Sequence, residues 1–112
     1  MIDSYVFGRM TVDGREYTSD LIILPGRILY PWWRAEGHRL ILKDLEDVFA
    51  APHQILIVGT GFMGAMRLDE EVRVHAEQAG IRLLVEKTRG AVKAFNRFTP
   101  DHKVCGAFHL TC

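Results

Sequence analysis

No charge sign predominates in this sequence: fourteen lysines and arginines offset fourteen aspartates and glutamates. Without a net field, neither nucleic acid nor an anionic membrane surface is an expected partner. Cysteine is scarce as well. Cys105 and Cys112 are too few for a disulfide scaffold and lack CxxC spacing, so a reducing compartment is the simplest expectation. Long apolar runs are absent; the longest cover about four or five residues, against about 20 for a membrane helix. The opening residues Met1–Met10 carry Asp3 early and no extended apolar stretch, which is unlike a signal or transit peptide. These shortages together lead to the expectation of a soluble, cytoplasmic protein with one domain spanning residues 1–112.

The residues that are present form a clear pattern of elements. Ser4–Phe7, Met10–Val12 and Glu16–Thr18 are short β-prone pieces, and Asp13–Gly14 is a strong hairpin signal because a type I′ turn needs φ > 0 at both central residues. Leu21–Leu24 and Arg27–Tyr30 flank Pro25–Gly26, a type II turn pair. From about residue 43 helices and strands alternate. Leu42, Leu45, Val48 and Phe49 share a helical face before Pro52, and Ile55–Val58 is a continuous apolar run suited to a strand covered on both faces. Leu68, Val72, Ala76 and Ala79 mark a second helix starting near Asp69 and ending at Gly80. Ile81–Val85 is the next strand. Thr88 is placed to cap a third helix carrying Ala91, Val92, Phe95 and Phe98 inward, and Val104–Leu110 closes the series. The expected class is α/β with three layers: an N-terminal β layer, then a central mixed sheet flanked by helices, with βαβαβ order in the C-terminal two thirds.

One stretch resembles a cofactor signature. Gly59, Gly61 and Gly64 follow the apolar strand as GxGxxG, and Glu86 closes the next strand, near where an acidic residue would hold a ribose. In a dinucleotide site, however, the glycines open the helix directly. Here the helix is expected only at Asp69, with Glu70 and Glu71 in its first turn to repel a phosphate. A tight turn and pocket wall is therefore the preferred reading, and no NAD or flavin cofactor is assigned. Free glycine N–H groups at a strand's carboxyl end remain suited to a small anion.

Other polar candidates each have a structural alternative. Arg34 beside Trp33 and near His38 would suit a carboxylate or phosphate clamp, or a simple stack on Trp33 with an acidic neighbour. His109 and Cys112 form an HxxC, short of the four ligands of a structural zinc site, so no metal is assigned. Cys105 reads as a small buried hydrophobe. Arg89, Lys93 and Arg97 line one helix face that is expected to be solvated. Trp32, Met63 and Met66 fit either a recognition patch or the core. No set of nucleophile, base and electrophile emerges, so no catalytic residue is assigned. A ligand pocket, if one forms, is expected around Trp33, Arg34, His38, Gly59, Thr60, Gly61, Thr88 and His109.

A set of residues in order carries a family resemblance: Trp33-Arg34 with Gly37-His38, the run Val58 to Gly61, Gly80-Ile81, Thr88 with Ala91-Val92 and Phe95-Asn96, and the closing stretch from Gly106 to Cys112. The chain resembles the adipogenesis-associated domain family, named after a methanogen protein of unknown function, over residues 4 to 112. A mitochondrial complex I assembly factor is among its more distant relatives. The resemblance implies a three-layer fold and no established catalytic residues. With no catalytic set in the sequence, the expectation is a non-enzymatic protein-binding or assembly/regulatory module with a protein partner. The alternative is a binder of a small molecule or anion, possessing enzymatic activity or not, at the Gly59–Gly61 loop.

Overall fold

The computed structural model describes residues 1–112. A small antiparallel sheet comes first: β1 (Ile2–Val6), β2 (Arg9–Val12) and β3 (Arg15–Tyr17), paired in that order. Val12 pairs with Arg15, leaving Asp13 and Gly14 as a two-residue turn with both φ values positive. The next hairpin, β4 (Leu21–Leu24) and β5 (Arg27–Leu29), turns at Pro25–Gly26 but joins a different sheet. That central sheet has the order β5-β4-β10-β7-β9, with β7 at Ile55–Thr60, β9 at Arg82–Glu86 and β10 at Val104–His109. The last strand thus inserts at the middle, antiparallel to β4 and parallel to β7. Covered on both faces, β7 and β10 are buried at every position, which is why both read as unbroken apolar runs.

Three helices cover the central sheet: α1 (Glu46–Ala50), preceded by a 3-10 turn at Leu42–Leu45, α2 (Glu70–Gln78) and α3 (Thr88–Phe98). The chain moves outward from β7 to the edge strand β9 through α2, then back across β7 to β10 through α3. Because crossovers between parallel strands keep one hand, opposite directions of travel put the two helices on opposite faces. The core divides accordingly. On one face Ile55, Ile57, Val104 and Phe108 pack against Phe95 of α3 and against Ile2, Met10, Val12 and Tyr17 of the small sheet. On the other, Leu56, Val58, Cys105 and Ala107 pack against Val48 of α1, Val72 of α2, and Trp32 and Met66. The architecture is the expected three-layer α/β fold.

Two local departures from the expected pattern occur around the glycine loop. Residues 62–68 lie between β7 and α2 and end in β8 (Arg67–Leu68), which pairs in parallel with β6 (Arg39–Leu40). Arg39 grips Asp69 with two hydrogen bonds of 2.8 Å, so the residue preceding α2 is held by a distant arginine rather than capping through its own side chain. Thr88 does not cap α3 either. It is the first helical residue, and its hydroxyl is used elsewhere. No helix is long and apolar enough to cross a membrane.

Candidate functional site

The candidate residues converge at the carboxyl end of β10, around a partner that the sequence did not single out. Asp20 sits immediately before β4, and its carboxylate accepts from the Leu110 N–H at 2.7 Å and faces His109 Nδ1 at 2.8 Å. Arg34 Nη1 lies 2.8 Å from the same Oδ2 as an ion pair, while Nη2 donates to the Gly37 carbonyl at 2.8 Å. The Arg34 side chain is only 5% exposed, and its guanidinium lies over the Trp32 ring at 4.7 Å. A buried arginine requires a counter-charge and hydrogen bonds; Asp20 supplies the charge and the Gly37 carbonyl a hydrogen bond, while Nε is buried with no partner. Burial pushes the Asp20 carboxyl up, but the bonds from His109, the Leu110 N–H and Arg34 outweigh it and leave the group below its ordinary value.

A carboxylate has no proton to give, so His109 Nδ1 donates to Asp20, with Arg34 Nη2 3.2 Å from the same nitrogen. His109 Nε2 is buried and has no partner. His38 stands edge-on to the His109 ring, with centroids 5.7 Å apart. Trp33, assigned to the same pocket from the sequence, is not part of this cluster. Trp32 lies under Arg34, whereas Trp33 is 79% exposed and lines a groove with Pro31, Lys43 and Glu46.

The glycine loop is consumed by the chain itself. Gly61 N–H donates to Thr88 Oγ1 at 2.9 Å, and the same hydroxyl donates to the His109 carbonyl at 2.6 Å. Phe62 N–H donates to the Thr111 carbonyl, Gly64 N–H to Gly61, Ala65 N–H to Cys112 and Met66 N–H to Thr60. The Thr60 hydroxyl donates to the Glu86 carbonyl at 3.1 Å. These five loop N–H groups are therefore spent internally, as the preferred reading of a tight turn requires, and they are not free to cradle the small anion of the alternative reading. The glycines serve close approach instead. A Cβ on Gly59 would stand 2.8 Å from Thr88 Oγ1; on Gly61, held at φ 109°, it would meet the Cys112 carbonyl oxygen at 2.6 Å and His109 Cδ2 at 2.8 Å. No group of three or more His, Cys, Asp or Glu side chains stands in a metal-binding arrangement.

What this buried network holds in place is an exposed apolar surface. The Leu110 carbonyl accepts from Gly8 N–H at 2.8 Å and from the Tyr5 hydroxyl at 2.8 Å, and Thr111 accepts from Phe62 N–H. The turn after β1 and the loop after β7 are thereby tied to one tail. Their tips bring Phe7 against Phe62, ring centroids 6.0 Å apart, with Tyr5 behind and Arg89 over Phe62 at 5.9 Å. Val6, Phe7 and Met63 remain exposed, at 49%, 54% and 68%. Of the three residues left between patch and core by the sequence, Trp32 and Met66 are buried and Met63 is on this surface. Phe7 and Phe62 were missed, although bulky apolar residues flanking turn glycines were a usable signal: turns are ordinarily polar. For Asp20 no signal existed, since its partner is 89 residues away.

A protein-family model described as "Protein of unknown function (DUF498/DUF598)" matches residues 2–109. Among solved structures, the conserved hypothetical protein PH1505 from Pyrococcus horikoshii is 26% identical, with all of this chain and 99% of that chain covered at a TM-score of 0.85. The protein MT938 is 25% identical, with 100% and 98% covered at a TM-score of 0.79. A Bordetella pertussis protein described as a Mth938-like domain is 19% identical, with 98% and 85% covered at a TM-score of 0.71.

Proposed function

The chain belongs to the DUF498/DUF598 family, the family of Mth938-like domains, and on that footing we propose that it is a non-enzymatic protein-binding module of the assembly or regulatory kind. The supporting observation is the patch of Val6, Phe7, Phe62 and Met63, whose two loops are locked together by the tail beyond β10. Exposed apolar clusters rimmed by polar groups are typical of docking surfaces. Aromatic and methionine side chains are also enriched where partners meet. The patch is preorganised by buried hydrogen bonds, so little ordering entropy is lost on docking.

The buried cluster is read as support for that surface rather than as a catalytic centre. An Asp–His pair of this geometry can orient a general base. A base must reach the proton it removes, however, and His109 Nε2 is sealed from solvent. The test is affinity capture with immobilised protein, comparing the parent with a Phe7→Ser/Met63→Ser variant and a Val74→Ser control. Val74 is an exposed apolar residue on α2, outside the patch. Proteins retained by parent and control but lost from the double variant support the reading. Identical capture by all three would refute it.

A further inference from the structure

A second surface lies along the β5 edge of the central sheet. The central sheet ends at β5, which pairs only with β4. Leu24 and Arg27 close the hairpin, so antiparallel alternation turns the N–H and C=O of Ile28 outward. A groove opens on each side of this edge, of about 870 and 730 Å³, and Ile28 and Tyr30 line both.

The two grooves carry opposite charge. The first is lined by Arg15, Arg27 and Lys103, none with an acidic side chain within ion-pair distance, while its one carboxylate, Asp13, pairs with the Met1 amine at 2.9 Å. The second is lined by Glu46 and Asp47, exposed and likewise unpaired, with Asp44 and a single cation, Lys43. Trp33 stands at its rim. Side chains of a strand point alternately to the two faces of its sheet.

We propose that β5 accepts an extended segment of another protein as a sixth strand, with acidic side chains at one parity facing Arg15 and Lys103 and basic ones at the other facing Glu46 and Asp47. Main-chain bonds to Ile28 supply the pairing and the two grooves supply the selection. A second copy of this chain does not fit. Two β5 strands paired antiparallel about a twofold axis normal to the sheet keep each face on its own side, which sets cations against cations and carboxylates against carboxylates. This strand-binding edge is independent of the Phe7–Phe62 surface.

The experiment uses the full chain and two blocked octapeptides of equal composition. One is Glu-Lys-Glu-Val-Val-Lys-Glu-Lys, with alternating charge; the other is Glu-Glu-Glu-Val-Val-Lys-Lys-Lys, which breaks the parity. The alternating peptide should bind at least about ten-fold more tightly, from several cross-strand ion pairs acting together, and should slow hydrogen exchange at the Ile28 amide. An Arg15→Glu/Lys103→Glu variant with unchanged melting temperature should lose about ten-fold in affinity. The Phe7→Ser/Met63→Ser variant should bind as the parent does, which separates this proposal from the preceding one. Equal binding of both peptides, no binding of either, or an unaffected Ile28 amide overturns the proposal. So does protection of Ile28 by concentration-dependent dimerisation without peptide.

Discussion

Replacing Asp20 with asparagine removes one charge while nearly preserving shape, and the contacts around it set the cost. The asparagine carbonyl still accepts the Leu110 N–H, so that bond of 2.7 Å survives in kind. What disappears is the counter-charge of Arg34, whose side chain is 5% exposed and has no other carboxylate within 4.0 Å. Removing one partner of a buried pair costs about 3–5 kcal/mol. The Asp20 side chain is itself 16% exposed, so water relieves part of the penalty and about 3 kcal/mol is the appropriate end of that range. That is a large share of the roughly 5–15 kcal/mol that holds a domain folded. At about 4 °C per kcal/mol, the melting temperature should fall by about 12 °C.

Urea denaturation checks the free energy directly, with the midpoint lowered and the slope unchanged. Exchange should also quicken first at the amides of Gly8, Phe62 and Ala65, which depend on the tail beyond β10. Acidity gives an independent sign. The folded Asp20 carboxyl titrates below its ordinary 3.8, so its stabilisation is complete above that value and is lost as pH falls through the folded value. Parent and Asp20→Asn curves should therefore converge in strong acid. A loss under about 1 kcal/mol at neutral pH, or a difference that persists in acid, would refute the assignment of this carboxylate as the counter-charge.

Further outcomes rest on the same geometry. Gly61→Ala combines a positive φ with overlap at Cys112 and His109, and should cost about 2–4 kcal/mol in denaturant. Phe7→Ser and Met63→Ser, both at exposed positions, should change stability by no more than about 0.5 kcal/mol each, which thermal melts can verify before any binding assay. Cys105 is buried, with its thiol pushed up to about 12 by burial, whereas Cys112 is exposed. A thiol reagent at mildly alkaline pH should therefore modify one cysteine in the native protein, at Cys112, and both only after unfolding.

Where short-range chemistry decides turns and the burial pattern of strands and helices, the sequence alone was sufficient. Asp13–Gly14 and Pro25–Gly26 place their turns because few residues tolerate those φ values. Ile55–Val58 reads as a doubly covered strand because water is excluded from both its faces. The helix stripes ending in Gly80 and Phe98 follow from a 3.6-residue period. Gly59 and Gly61 were legible as glycines with a purpose, and Arg34, His38, Thr88 and His109 as polar groups worth watching. Tertiary structure alone decided what they do. Nothing local says that β10 enters between β4 and β7, and that insertion brings His109 to Asp20, Thr88 to Gly61, and the tail to both aromatic loops. Whether Trp32 or Trp33 lies under Arg34 depends on which way an irregular segment turns after Pro31, and the choice falls to the ring that can also donate to the Asp44 carbonyl. Local propensity acts over one turn of chain; the pairings that build the buried cluster and both surfaces close loops of many tens of residues, and only collective packing selects among those.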